Sequence, residues 1–118
     1  MSRKIGALAE QHACEHLIAA GLTWVASNYS CRMGEIDLIM RDGAYLVFVE
    51  VRARSSQAFG GAMASVTYSK KQKLIKTALM YLMVNNIHDK ESIRFDVLSF
   101  EGAPAGVSWV KNAFGSDF

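Results

Sequence analysis

The chain predicts a small α/β domain, a central mixed sheet flanked by helices with elements in the order α-β-β-β-α-β-β. Three observations lead there. Apolar residues recur at helical spacing in two segments, one near the N-terminus and one past the middle. The segments between and after them alternate or are rich in β-branched and aromatic residues. Asp42-Gly43 separates two such runs, the strongest short-range hairpin signal. Length and composition agree. A chain of 118 residues is expected to form one domain, 1–118. Hydrophobic residues at 51% and charged residues at 20% are ordinary globular usage. One Pro, nine Gly and the lack of a repeat exclude collagen-like, low-complexity and disordered chains. No apolar run approaches the ~20 residues of a membrane span, so no membrane partner is expected. Glu10, Gln11 and His12 interrupt any signal-peptide core after Met1-Ser2-Arg3-Lys4, so the expected compartment is the cytoplasm. Cys14 and Cys31 are far apart and form no CxxC, which suggests neither a disulfide framework nor a zinc knuckle.

The elements follow in order. Residues 3–20 read as a helix ended by Gly21. Residues 23–29, TWVASNY, read as a strand. Glu35 to Arg41 and Ala44 to Ala53 form the hairpin around Asp42-Gly43. Residues 55–68, with Ser55, Ser56, Gly60 and Gly61, read as a loop. Residues 70–86 are helical, with Leu74, Ile75, Ala78, Leu79 and Leu82 on one face. Ser69 with Gln72 makes a capping box at its start. Residues 93–100 and 107–112 form two strands around a Gly102–Gly106 turn.

The central hairpin carries the chemistry. Side chains alternate along a strand, so Phe48, Glu50, Arg52 and Arg54 share one face, and Val47, Val49 and Val51 share the other, which reads as core. A two-residue Asp42-Gly43 turn pairs Arg41 with Ala44. Asp37 then opposes Phe48, Glu35 opposes Glu50, and Asp37 is diagonal to Glu50. Three carboxylates crowd one face. Like charges so placed are destabilising, which leaves two accounts. Either some are protonated or paired with Arg52 or Arg54, or a divalent cation neutralises them. Hard oxygen ligands select Mg²⁺, Mn²⁺ or Ca²⁺. In the first helix Gly6, Glu10, Ala13 and Leu17 fall within about 60° of one another, which turns Glu10 toward the sheet. A carboxylate there is costly unless paired or coordinated.

Charge is uneven. From Val51 to His88 there are six cations and no acid, while the rest of the chain has seven cations against eleven acids. A basic half beside an acidic half suits a polyanion held near a cation-binding centre. The second helix begins Lys70-Lys71, with Lys73 close behind, and cations at a helix N-terminus oppose the macrodipole. A phosphate would compensate. Lys71 sits nearest the apolar face and is expected to look inward, with Lys73 and Lys76 turned to solvent.

Gly34-Glu-Ile-Asp-Leu-Ile39 followed by Val47-Phe-Val-Glu-Val-Arg52 and Arg54 resembles the YraN family of bacterial endonuclease-like proteins. The resemblance covers nearly the whole chain. It takes in Gly6, Glu10, Ala13, Leu17 and Gly21, then Asn28, Gly60 and Lys70 or Lys71 with Ala78 and Leu82. It ends with Arg94-Phe-Asp-Val97 and Asn112-Ala-Phe114. That family is similar to archaeal Holliday-junction resolvases and implies the restriction-endonuclease-like, PD-(D/E)xK fold. The resemblance implies a Mg²⁺- or Mn²⁺-dependent endonuclease acting on nucleic acid, DNA and branched DNA such as Holliday junctions foremost, with RNA the open alternative. Glu10, Asp37 and Glu50 would be metal ligands; Asp37, Glu50 and Arg52 would be catalytic, with Glu35 a supporting acid. Arg54, Lys70, Lys71 and Lys73 would contact the nucleic acid. An enzyme cutting both strands of a junction would suit a homodimer. Two positions depart from the motif: Ile36 precedes Asp37 in place of proline, and Arg52 stands in place of lysine. Arginine grips phosphate bidentately and does not release a proton at neutral pH, so position 52 is no general base.

Two rival functions remain from the residues. His12-Ala-Cys-Glu-His16 matches the HxxEH pattern of inverted zinc peptidases, yet both histidines face away from the apolar stripe. A nuclease-like fold that binds nucleic acid without cutting it also accommodates Arg52. Tyr68 and Phe59 are candidates for base stacking, with packing the plainer role. Asp96 alternates with Arg94 and reads as a local salt bridge, and Trp24 and Trp109 read as core.

Overall fold

The computed structural model describes residues 3–54, 66–87, 92–102 and 106–115. Among the described residues seven elements follow in the predicted order: α1 (Arg3–Ala19), β1 (Thr23–Cys31), β2 (Gly34–Asp42), β3 (Tyr45–Arg54), α2 (Tyr68–Val84), β4 (Ser92–Glu101) and β5 (Gly106–Phe114). The strands lie side by side as β1-β2-β3-β4-β5 in one sheet. Only β3 and β4 run parallel, because α2 supplies the crossover that parallel neighbours require. This is the order expected of the restriction-endonuclease-like core.

The sheet is buried on both faces. Leu38, Met40, Val47, Val49, Val51 and Leu98 pack with Ala9, Ala13 and Leu17 of α1. On the other face, Ile36, Ile39, Leu46, Phe48, Phe95 and Val97 pack with Leu74, Ile75 and Ala78 of α2. The face of β3 that carries Glu50, Arg52 and Arg54 therefore begins as core at Phe48. Phe48 stacks on Phe95 at 5.6 Å between ring centres and meets Tyr81 of α2 edge-on. A strand covered on both sides reads as a nearly continuous apolar run, as β3 does.

The hairpin register differs from the expected one by two residues. Asp42 pairs with Tyr45 and Leu38 with Val49, so the turn residues are Gly43 and Ala44. Gly43 takes φ +58 at the first of the two central positions, where glycine carries no steric cost. A slip of two leaves every side chain on its expected face and changes only its opposite neighbour.

The capping box gives way to a simpler cap. Thr67 is extended, and its hydroxyl accepts from the Lys70 backbone N–H at 3.2 Å, so Ser69 lies inside the first turn. At the other end Asn86 adopts φ +55, and the Ile87 N–H reaches Leu82 O at 2.8 Å. Leu79 departs from the predicted apolar face and is 53% exposed, while Thr77 is buried with its hydroxyl donating to Lys73 O. Trp24, expected in the core, is half-exposed on the edge strand β1, and its indole N–H donates to Ser27 Oγ. Trp109 is partly buried against the core. Phe59, Gly60 and the rest of the predicted 55–68 loop up to residue 65 lie outside the described residues, as does the Arg54 side chain.

Asp96 carries more than the expected local salt bridge. It is completely buried and takes both nitrogens of the Arg94 fork, at 2.9 and 3.0 Å. It also accepts from Trp109 Nε1 at 2.9 Å and from the Asn112 N–H at 3.0 Å. Arg94 in turn reaches Asp42 at 3.0 Å, which ties the hairpin turn to β4 and β5.

One glycine makes a sharp stability prediction. Gly34 opens β2 at φ +149, and a Cβ there would lie 3.1 Å from Thr77 Oγ1. Gly34→Ala should therefore lower stability by about 1–3 kcal/mol. An unchanged midpoint in a urea titration would show that β2 enters the sheet without this constraint.

Candidate active site

Pairing between β2 and β3 runs from Asp42↔Tyr45 to Leu38↔Val49. The next step would bring Asp37 beside Glu50, and there the backbone ladder gives way to a side chain. Asp37 Oδ2 accepts the Val51 N–H at 2.8 Å, in the place a main-chain carbonyl would take. The pleat also loses phase here. Ile36 and Ile39 both pack on the α2 side, while Leu38 and Met40 pack on the α1 side. Across the β1 edge, pairs form at Ser27↔Leu38 and Tyr29↔Ile36, and the intervening Asn28 takes φ +53. This irregularity sets Asp37 in the seam between two strands.

Glu50 is 7% exposed and sits where β3 passes under the start of α2. Its Oε2 lies 3.3 Å from Arg52 Nη2 and 3.4 Å from Lys70 Nζ. Both cations offer charge without hydrogen-bond geometry: Glu50 Oε2 and Arg52 Nε are buried with no hydrogen-bond partner. A buried polar atom left open in this way calls for a ligand or an explanation.

The Asp37 carboxyl is pushed up to about 9. Burial is the largest cause, followed by a hydrogen bond to Glu50, the charge on Glu50 and, more weakly, the charge on Glu10; the Val51 N–H opposes them. The crowding foreseen from the sequence therefore acts on Asp37, whose neutral form is favoured by burial and by Glu50 beside it.

Glu10 is half-buried on α1. It lines a groove of about 350 Å³ between α1 and the β1–β2 pair, with Glu15, Ser27, Asn28 and Leu38. Cys14, in the same groove, is held above the ordinary thiol range by burial and then by Glu15, which keeps it from acting as a thiolate.

The structure thus brings together Asp37, Glu50, Arg52 and Lys70, with Glu10 within electrostatic reach. The inward lysine is Lys70; Lys71 instead places its Nζ 5.8 Å from the centre of the Phe114 ring. Lys73 is exposed, as predicted from its helical angle. Glu35 pairs with Ser30 and is exposed, so it does not oppose Glu50 as expected. Tyr68 is 65% exposed at the start of α2, which removes packing as its main role. His12 meets Phe100 edge-on and His16 meets Trp109 edge-on, so the two histidines of the HxxEH pattern pack against different rings. Among the described residues no three His, Cys, Asp or Glu side chains converge as an ion-binding group. A donor set of two carboxylates still suits Mg²⁺, which keeps several waters and takes one or two carboxylates plus phosphate oxygens.

Residues 9–100, which span Glu10, Asp37, Glu50, Arg52 and Lys70, match the model of the Uncharacterised protein family UPF0102. The chain is 54% identical over 114 residues to a UPF0102 protein of Legionella pneumophila, covering 97% of each. It is 51% identical over 116 residues to one from Serratia proteamaculans, covering 98% of this chain and 97% of that protein. A third, from Pseudomonas paraeruginosa, is 42% identical over 117 residues, covering 96% and 94%. No helix among the described residues is long and apolar enough to cross a membrane. With a family match across most of its length and relatives of its own size, the chain belongs to the YraN-like UPF0102 family.

Proposed function

We propose that the protein is a divalent-metal-dependent phosphodiesterase that cuts DNA, with branched DNA such as a four-way junction the foremost substrate to try. One observation carries this reading. Half-buried Asp37, its carboxyl pushed up to about 9, is hydrogen-bonded to buried Glu50, while Glu50 Oε2 and Arg52 Nε stand open beside Lys70. Asp37 and Glu50 would hold Mg²⁺ or Mn²⁺, which when bound supplies a Lewis acid for the phosphate and a more acidic water. The chain's own groups do the rest. Asp37 gives up its proton to make the site anionic, and the Val51 N–H fixes its orientation. Arg52 offers its planar fork to two phosphate oxygens, a geometry lysine lacks. Lys70 adds charge from the other side of Glu50. Glu10, on α1, deepens the negative field at Asp37.

The absence of a lysine at position 52 favours one second reading, a module that holds nucleic acid without cutting it. One experiment separates the two. Labelled duplex, single strand, flap and four-way junction are incubated with Mg²⁺, Mn²⁺ or EDTA, and binding is read on the same samples by gel shift. Cutting that needs the cation and drops on the order of 10³-fold or more in Asp37→Ala establishes the nuclease. Binding without cutting by the wild type establishes the module. Neither binding nor cutting overturns both.

A further inference from the structure

The tip between β1 and β2 is seated on α2. A Cβ on Gly34 would meet Thr77 Oγ1 at 3.1 Å and Lys73 Cβ at 3.5 Å, so the turn from Cys31 to Gly34 lies against the Lys73–Thr77 stretch of the helix. Arg32 belongs to that tip and is exposed, and so is Lys73 beneath it. At ~100° per residue, Lys70 and Thr77 lie about 20° apart around α2, and Lys73 about 60° from Lys70. Tip, Lys73 and Lys70 therefore follow one flank of the helix toward Glu50, where Arg52 waits. At 1.5 Å per residue, Lys70 and Thr77 are about 10 Å apart along the axis, roughly three steps of a duplex strand.

The α2 side of this flank carries one sign of charge, and Glu35, exposed on β2 just past the tip, is the acid nearest Arg32 in the sequence. No Asp or Glu occurs from Val51 to His88, so α2 contributes cations alone. On the opposite side of the sheet, Glu10 and Glu15 line the α1 groove. At the inner end of the flank, Glu50 Oε2 and Arg52 Nε are, among the described residues, the buried side-chain atoms left without hydrogen bonds. A surface that is basic outside and unsatisfied at its inner end fits a chain of phosphates that ends at the carboxylate pair.

We infer that the β1–β2 tip and this flank of α2 form the lane along which a nucleic-acid backbone runs into the site, with Arg32 and Lys73 as phosphate contacts upstream of Arg52 and Lys70. The inference rests on the nucleic-acid reading above and adds Arg32 to it. These contacts position the backbone and read no bases, so they should weaken binding evenly across sequences.

The test is equilibrium binding of a labelled duplex and a labelled four-way junction in EDTA, over a series of salt concentrations. The variants are Arg32→Ala with Lys73→Ala, the charge reversal Arg32→Glu, and Lys111→Ala as a control on β5. The double variant should bind about tenfold or more weakly, and its slope of log K against log salt should be shallower by about 2. Arg32→Glu should also bind more weakly than the wild type, and Lys111→Ala should match the wild type. Thermal melts at the wild-type midpoint confirm that the exposed changes spare the fold. If the wild type binds and cuts while the double variant keeps its affinity and slope, the lane is wrong and the nuclease stands. If the wild type neither binds nor cuts, both readings go together.

Discussion

Asp96→Ala should destabilise the protein by about 3–5 kcal/mol, a large part of what a domain of this size has in hand. Asp96 is completely buried and answers four donors: two Arg94 nitrogens, Trp109 Nε1 and the Asn112 N–H. Removing its carboxylate leaves the Arg94 side chain, 11% exposed, with Asp42, 33% exposed, as its ion-pair partner and the face of the Tyr45 ring 5.5 Å away. It also strands an indole N–H and a backbone N–H away from water. The Asn112 backbone stands at φ +52 within β5, next to the point where the β4–β5 register shifts, and its N–H bond to Asp96 helps hold that conformation. Asp42→Ala makes the contrast. It removes the outer, partly solvated half of the same Arg94 network, and a loss within about 1 kcal/mol is expected. Denaturant titrations followed by circular dichroism measure both. If Asp96→Ala costs no more than Asp42→Ala, the buried network is not what joins β5 to the sheet.

Asp96 also illustrates how far one-dimensional patterning reaches. Alternation on β4 was enough to pair it with Arg94, since both lie two apart on one face. Trp109 and Asn112 come from β5, and nothing local announces that their donors end on the same carboxylate. The hairpin teaches the same lesson. Period-two patterning put Asp37 and Glu50 on one face, and it is blind to a slip of two residues. Only the turn separates the two registers, and Asp-Gly fits both when glycine is allowed either central position. Glu35 was placed with the pair because alternation was carried straight through β2. The phase change at Asp37, with Ile36 and Ile39 on the same side, breaks that count. On α2 the Ser69–Gln72 pattern mimics a capping box, but the helix starts at Tyr68 with Thr67 as its cap, and Leu79, at apolar spacing, faces solvent. With Thr77 buried under the hairpin tip, Lys70 becomes the residue that looks toward Glu50. Trp24 was read as core on side-chain type alone; an edge strand leaves one side of it to solvent.

The carboxylate pair predicts an unusual pH dependence for the metal-free protein: stability should fall steadily as pH rises from about 4 to about 9. In the native state the Asp37 carboxyl is raised to about 9, against an ordinary value of 3.8. Below about 4 both folded and unfolded chains hold this proton, and its contribution is complete. Between the two values the folded state holds a proton that the unfolded state has released, so unfolding is favoured as pH rises. Each pH unit in that window removes at most about 1.4 kcal/mol, the linkage of one proton. Above about 9 the contribution is gone, and Asp37 is charged in its place beside Glu50. Asp37→Asn keeps an acceptor for the Val51 N–H and a donor toward Glu50 but has no proton to lose, so its profile should be flat where the wild type slopes. Mg²⁺ must displace the same proton, which makes its affinity rise by up to tenfold per pH unit in this window. Titration calorimetry of Mg²⁺ in two buffers of different ionisation heat should count close to one proton released by the wild type near pH 7. Asp37→Asn should release none. A flat wild-type stability profile, or equal slopes in wild type and Asp37→Asn, would show that Asp37 does not hold the proton on which the site's reading depends.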